Sequence, residues 1–432
     1  MLSGQARRGM TGKGGALAEQ KLPRAASGSG YVIFLIALAL FISYVDRGHL
    51  ATAGPAIEKA LGLSETRFGA LITAFYLTYV FCMIPAGWLA ERFGGYIVLA
   101  AGVAVWSVAT LLMGTVDSFA MLLVLRLLLG VGESVTFPCL SKLIASAVEP
   151  DRYGLANGVI AFAYLFGAVI GTLLGGLLMV RIGWGPVFIL FGALSLLWLY
   201  PWSRIRVHEP RIKKQDTGAP SFPQILRQRG LWGASLGHFS GNYTYYFILG
   251  WLPIYLVKAR GFSISSMAKV ASAAYLISAV LALFAGWATD RWVRAGRSPD
   301  VAYKSIMALH HIGAIIFMVG MALLPVVPSI ACLFGYMAVM AFAAPATFAI
   351  PQILAGPTAT GRWVGIQSTC GNLAAVFASY ITGFLIDKTG HYESGFAAAA
   401  VINVLGIVGW VFILPAVRPI RWDAAAGSAS PT

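Results

Sequence analysis

Leu122–Pro138 reads LLVLRLLLGVGESVTFP. One arginine, Arg126, and one glutamate, Glu133, interrupt an otherwise apolar run. On an α-helix they lie about two turns apart, roughly 10 Å along one face. The run extends over 119–147, long enough to cross a hydrocarbon core. Both charges then sit inside the membrane, where an ionisable group is costly unless it is paired or faces water. Such groups commonly mark an ion or substrate pathway. The competing reading is a static ion pair that fixes helix packing.

Composition agrees with a membrane chain. Of 432 residues, 58% are hydrophobic and 11% charged, with a mean hydropathy of +0.78. A soluble domain carries about 25% charged residues. The formal charge of +15 does not call for nucleic acid, because Lys and Arg gather on cytoplasmic loops of membrane proteins. Cys82, Cys139, Cys332 and Cys370 all fall in apolar runs without CxxC spacing, so neither a disulfide framework nor a zinc site is expected.

Apolar windows of spanning length fall at 31–57, 67–90, 96–115, 119–147, 153–180 and 184–203. Six more fall at 231–257, 265–290, 303–325, 329–356, 362–387 and 395–416. The spacing predicts an all-α membrane protein of about twelve helices. Very short links, such as Val116–Ser118 and Arg181–Gly183, force antiparallel neighbours. Residues 1–30 read as a disordered cytoplasmic tail. Residues 31–203 form a first six-helix bundle, 204–229 a cytoplasmic central loop, 230–417 a second bundle, and 418–432 a cytoplasmic tail. With the N-terminus inside, 22 of the 31 basic residues fall on inner segments and 7 on outer ones; Arg47 and Arg126 remain in the membrane. The positive-inside bias puts both ends in the cytoplasm.

The two halves echo each other. Gly87–Gly95 reads GWLAERFGG after the second helix, and Gly286–Arg297 reads GWATDRWVRAGR after the eighth. One short motif is weak, but its recurrence half a chain later marks an internal repeat. Gly87 and Gly286 permit close helix approach. Glu91 and Arg92, and likewise Asp290 and Arg291, are candidates for charged pairs that break as the bundles rock.

Four ionisable residues of the first half fall inside helices: Asp46 and Arg47 in the first, Arg126 and Glu133 in the fourth. Their formal charges cancel, which a low-dielectric interior tolerates. Guanidinium stays protonated and offers a planar fork to a carboxylate. The carboxylates are the groups that titrate. An acid whose proton affinity depends on whether a neighbouring arginine holds a substrate anion couples protons to that anion. Glu133 can pair with Arg126 or with Arg47. The bland alternative is a four-member lock between two helices. His238, His310 and His311 lie in apolar helices and read first as packing residues. Tyr245 and Tyr246 offer hydroxyls to a cavity or pack at an interface. Thr347, Ser368 and Thr369 can bond a substrate or their own helix backbones.

These motifs resemble the major facilitator superfamily, and within it the anion:cation symporter family of hexuronate, galactonate, glucarate, tartrate and phthalate carriers. The resemblance covers about residues 30–417. It rests on Asp46-Arg47, on Ala70–Arg92 and most specifically on Arg126–Pro138. Asn242–Leu256 and Gly371–Asp387 add the seventh and eleventh helices. The resemblance implies two pseudo-symmetric six-helix bundles and alternating access. It makes Asp46 and Glu133 protonation sites. It makes Arg47 and Arg126 candidates for meeting a substrate carboxylate or for controlling those protons, and Tyr79 and Asn372 match positions that line the family's cavity. Asn242, Tyr245, Ser368 and Thr369 join them as candidate substrate-binding residues by their side-chain chemistry. His49 stands where the family usually carries Asn.

The sequence therefore reads as a multi-pass bacterial inner-membrane symporter, a monomer, that moves a small organic anion such as a sugar acid with protons. No catalytic residue, metal or organic cofactor is expected, and its partners are the anion, protons and the bilayer. An organophosphate/phosphate exchanger would not need the titrating acids. A drug/proton antiporter would not need the two arginines. A membrane enzyme is disfavoured because no Ser-His or HExxH arrangement is present.

The orientation is testable. A single cysteine placed in the 204–229 segment of a cysteine-free variant should resist an impermeant maleimide in intact cells and react after permeabilisation. Labelling of intact cells would reverse the assigned topology.

Overall fold

The chain is represented by a computed structural model that describes residues 29–205 and 219–422. Residues 1–28, 206–218 and 423–432, and with them most of the expected tails and central loop, lie outside the described residues, as does the side chain of His49.

Among the described residues twelve long helical segments follow one another, with a short helix at Phe222–Leu226 between the sixth and the seventh. They are α1 (Ser29–Leu61), α2 (Glu65–Phe93), α3 (Gly95–Met113), α4 (Phe119–Ala147), α5 (Tyr153–Ile182) and α6 (Trp184–Arg204), then α7 (Arg229–Ile254), α8 (Ile264–Arg294), α9 (Pro299–Leu323), α10 (Val326–Ala355), α11 (Thr360–Thr389) and α12 (Glu393–Ile413). Eleven of these are long and apolar enough to cross a membrane. The twelfth, α7, has 26 residues, ample length at about 1.5 Å per residue. His238, Ser240, Asn242, Tyr243 and Thr244 dilute its hydropathy, and α7 packs against α11 and α12.

The packing repeats with an offset of six helices. In the first bundle α1 packs on α5, α2 on α4, and α3 on α6. In the second, α7 packs on α11, α8 on α10, and α9 on α12. The bundles meet where α2 faces α11 and α5 faces α8. Large apolar side chains, among them Leu77, Phe81, Val180, Leu197, Leu323 and Val401, stand exposed on the outside. Only a hydrocarbon environment makes that surface favourable. With twelve antiparallel helices in sequence, the start of α1 and the end of α12 lie on one side, called here the terminal face.

One local break matters for the site. Helix α4 is interrupted at Val135, between Phe119–Ser134 and Thr136–Ala147. Pro138 has no N–H to give to the carbonyl four residues back, that of Ser134. The Thr136 hydroxyl instead bonds the Glu133 carbonyl at 2.6 Å. Glu133 thus sits at the end of a helical segment, buried, with its side chain directed at α1.

Proline chemistry makes the break itself testable. Pro138→Ala restores the missing donor and should straighten α4 and shift Glu133. We expect the purified variant to melt no lower than wild type, with a transport rate at least tenfold lower. Wild-type transport would show that the break has no role.

Candidate functional site

The charged constellation is built on α1, α2 and α4. Arg47 of α1 donates Nε (2.8 Å) and Nη2 (2.5 Å) to the same oxygen, Oε2, of Glu133. The Ser43 hydroxyl, one helical turn earlier, donates to that oxygen at 2.9 Å. The other Glu133 oxygen, Oε1, is buried without a hydrogen-bond partner. The Arg47 guanidinium lies over the rings of Tyr44 and Tyr79, each 4.6 Å away, and near that of Phe75 at 5.1 Å. Three aromatic faces hold a cation well when it is withdrawn from water.

Arg126 is placed differently. It is buried, donates Nε to the Leu71 carbonyl at 3.0 Å, and lies 4.8 Å over the Phe75 ring. Among the described residues no carboxylate stands within ion-pair distance of it. Asp46, beside Arg47 in sequence, is buried and turned toward Thr110 of α3. Adjacent helical residues point about 100° apart, which separates the two. Of the two partners open to Glu133, the structure selects Arg47.

A cavity of about 100 Å³ lies between the bundles. Tyr44, Phe137 and Tyr164 form its wall in the first bundle. Asn242, Tyr245, Tyr246, Ser368 and Asn372 line it from α7 and α11. Tyr246 donates to Asn372 Oδ1 at 2.7 Å, and Asn242 donates to the Gly371 carbonyl at 3.1 Å. Tyr76, which packs edge-on to Tyr246 with ring centres 6.4 Å apart, links the cavity to the aromatic group around Phe75 and so to Arg126.

Four of the residues expected to meet the substrate lie outside the cavity lining: Arg47 and Arg126, behind the aromatic wall, and Tyr79 and Thr369. Tyr79 is fully buried between Phe75 and Arg47, where its ring holds the guanidinium. Thr369 donates across the bundle interface to the Val80 carbonyl at 2.9 Å. Three histidines missed as site residues, His238, His310 and His311, do line the cavity. Sequence carries no signal that separates them from packing histidines, because the distinction depends on what α7 and α9 face.

The repeated motif closes the terminal face, but not as expected. Glu91 pairs across the interface with Arg362 of α11, through the guanidinium Nε and through the backbone N–H at 2.9 Å. It does not pair with Arg92, whose guanidinium lies over Trp88 and Phe93 on the outer surface. Asp290 accepts from the first-turn N–H groups of α5, Gly154 at 2.8 Å and Leu155 at 2.6 Å. Arg291 lies over Trp287 instead of pairing with Asp290. In each half an acid at the end of one helix thus accepts from the N-terminus of a helix in the other bundle, where backbone donors and the helix dipole favour negative charge. Glycine is required beside both: a Cβ on Gly87 would overlap the Gly361 carbonyl, and one on Gly286 the Gly154 carbonyl. Arg362 and Lys142, two of the 22 basic residues that the charge count assigns to inner segments, are buried here, Lys142 with its ammonium 3.4 Å from the Glu91 carbonyl. The side-chain amides of Asn157 and Gln352 add a reciprocal pair between the bundles at 2.7 and 3.2 Å.

Comparison with known proteins gives a consistent result. The family model described as Major Facilitator Superfamily matches residues 36–361. The chain is similar to a probable galactarate/D-glucarate transporter of Bacillus subtilis, 28% identical over 88% of this chain and 91% of the relative. It is also similar to a probable L-galactonate transporter of Escherichia coli, 26% identical over 88% of each. A probable sulfoacetate transporter of Cupriavidus necator is 26% identical over 92% of this chain and 96% of the relative. The proton:xylose symporter structure superposes with a TM-score of 0.77 at 14% identity, over 93% of this chain and 99% of the other. The Escherichia coli fucose:proton symporter gives 0.72 at 14% identity, over 89% and 99%.

The closure is testable through Thr369, which faces α2 across the interface. In a cysteine-free background, Thr369→Cys should be shielded from thiol reagents. Adding Glu91→Gln removes a charge-assisted hydrogen bond worth about 1.5–3 kcal/mol. Labelling should then accelerate roughly ten- to a hundredfold, since 1.4 kcal/mol is about tenfold. An unchanged rate would mean that Glu91 does not hold the bundles together.

Proposed function

The chain belongs to the major facilitator superfamily, and we propose that it is a proton-coupled symporter importing an organic carboxylate by alternating access. It is a multi-pass membrane transporter. In our reading it works as a monomer in a bacterial plasma membrane with both ends cytoplasmic.

The observation that carries this reading is the unequal pairing of two buried arginines. Arg47 is neutralised by Glu133, whereas Arg126 has a carbonyl and a ring face but no carboxylate. A buried guanidinium is costly until an anion meets it. A substrate carboxylate fits its planar fork in two-point geometry. The aromatic and amide wall of the cavity then holds the body of the substrate.

Coupling follows from charge. Arg47, Arg126, Asp46 and Glu133 sum to zero, and an arriving monoanion makes the site negative. A proton on Glu133 restores the balance. It also frees Arg47, which can then share the substrate. The unbonded Oε1 of Glu133 is the atom that receives that proton. Asp46, buried on the α3 side, is a second carrier. One proton per monoanion gives electroneutral import, and two carry net positive charge inward. Neutral, loaded carriers cross the closed state at lower electrostatic cost than charged ones.

Two substitutions test the reading in proteoliposomes. Glu133→Gln should still exchange labelled substrate at equilibrium yet fail to accumulate it under an inward proton gradient. Accumulation at the wild-type rate would remove Glu133 from coupling. Arg126→Lys keeps the charge but not the fork, and should weaken carboxylate binding at least tenfold by calorimetry. Unchanged affinity would leave Arg126 a structural role only.

A further inference from the structure

The cavity wall formed by α7, α9 and α11 holds several buried polar atoms without a hydrogen-bond partner among the described residues. His238 Nδ1, His310 Nδ1, His311 Nε2 and Ser368 Oγ are buried without a hydrogen-bond partner, and all four residues line the cavity. They come from α7, α9 and α11. Each side chain is at least nine-tenths buried. An unpaired polar atom in such a place is a standing cost unless a ligand or water meets it.

The tautomer of His311 is set by its neighbours. Asn403 Nδ2 donates to the Ala399 carbonyl at 2.8 Å and to the Thr244 hydroxyl at 2.6 Å. A carbonyl can only accept, so the amide nitrogen is on that side and Oδ1 faces the histidine. His311 Nδ1 lies 2.7 Å from that oxygen and must therefore carry the hydrogen. In the neutral ring Nε2 is then a bare acceptor. The His310 ring centre is 4.6 Å from that of His311, which places the two imidazoles side by side on the same wall. A carboxylate presented there would bring lone pairs against a lone pair. No Lys or Arg is among the residues lining the cavity to neutralise it. A hydroxyl both donates and accepts, and suits this mixed set.

We propose that His238, His310, His311 and Ser368 form a hydroxyl-recognising subsite, which makes the transported acid a monocarboxylate with an uncharged hydroxyl at the end remote from Arg126. The inference rests on the carboxylate reading above and adds the chemistry of the other end. His311 accepts from the hydroxyl, the Ser368 hydroxyl donates to its oxygen, and His238 and His310 complete the polar wall around it. Asn403 is a positioning residue that acts through His311. A diacid is rejected because its second charge finds no cation. A deoxy acid is disfavoured because it leaves the imidazoles unpaired, and sites built for a hydroxyl discriminate strongly against its absence.

The test uses the purified full-length protein and calorimetry with two matched trios. These are hexanoate, 6-hydroxyhexanoate and adipate, and butanoate, 4-hydroxybutanoate and succinate. In at least one trio the hydroxy acid should bind at least about tenfold tighter than both partners. His311→Phe should reduce that preference to within about twofold, and the melting temperature of the ligand-free variant reports whether the fold is intact. Ser368→Ala and His238→Phe should each narrow the preference, so the test survives if His311→Phe does not fold. Equal binding of hydroxy and plain acids, tighter binding of a diacid, no binding of any of the six, or a preference that persists in every variant would overturn the subsite. Affinity that survives Arg126→Lys would instead overturn the carboxylate reading, leaving the hydroxyl preference to be judged on the wild type.

Discussion

The ion pair between Arg47 and Glu133 is the interaction on which the rest of the site depends. In water such a pair is worth little, but inside a bilayer neither partner can be left alone. Breaking a buried pair by removing one partner costs about 3–5 kcal/mol. The surroundings of this pair raise that stake. Ser43 shares the acceptor oxygen, and Tyr44, Phe75 and Tyr79 enclose the cation. Phe75 also lies under Arg126, so one ring touches both guanidinium groups. A change of charge at either arginine is therefore felt at the other without a large movement of backbone.

The interface between the bundles follows the same logic with different chemistry. Glu91 and Asp290 are not surface charges but acceptors for backbone N–H groups at the starts of α11 and α5. Those donors belong to helix ends that have no intrahelical partner for them. Closing the terminal face satisfies them with protein, and opening it hands them to water. The pseudo-symmetry of α2 with α8 and of α11 with α5 places the same kind of contact on both sides of the interface.

Much of this was legible in the residues. A charged residue in a long apolar run is conspicuous, so Arg126, Glu133, Asp46 and Arg47 stand out, and the repeat of Gly87–Arg92 at Gly286–Arg291 reveals two halves. What sequence could not supply was partnership. Arg47 meets Glu133 while Asp46 turns to α3, because neighbours on a helix diverge by about 100°. Glu91 finds Arg362, 271 residues away, rather than the adjacent Arg92. The partners of Asp290 are backbone N–H groups, which no residue type announces. Tyr79 and Thr369, expected in the cavity, are spent on holding Arg47 and the α2 backbone. The histidines of α7 and α9 look like packing residues until the cavity they face is known.

The central claim is that a carboxylate at Arg126 brings a proton to Glu133. Proton uptake on binding measures it most directly. The probe is the carboxylate that most raises the melting temperature of the purified protein. At 100 times its Kd, ligand binding stabilises by about 2.7 kcal/mol. Calorimetry of that acid at neutral pH, in buffers of different ionisation enthalpy, should give an apparent enthalpy that varies with the buffer. The slope should correspond to net uptake of protons by the protein, and Glu133→Gln should flatten it. A buffer-independent enthalpy in the wild type, with Arg126→Lys still weakening binding at least tenfold, would contradict the coupling and leave a carrier that takes its anion without a proton.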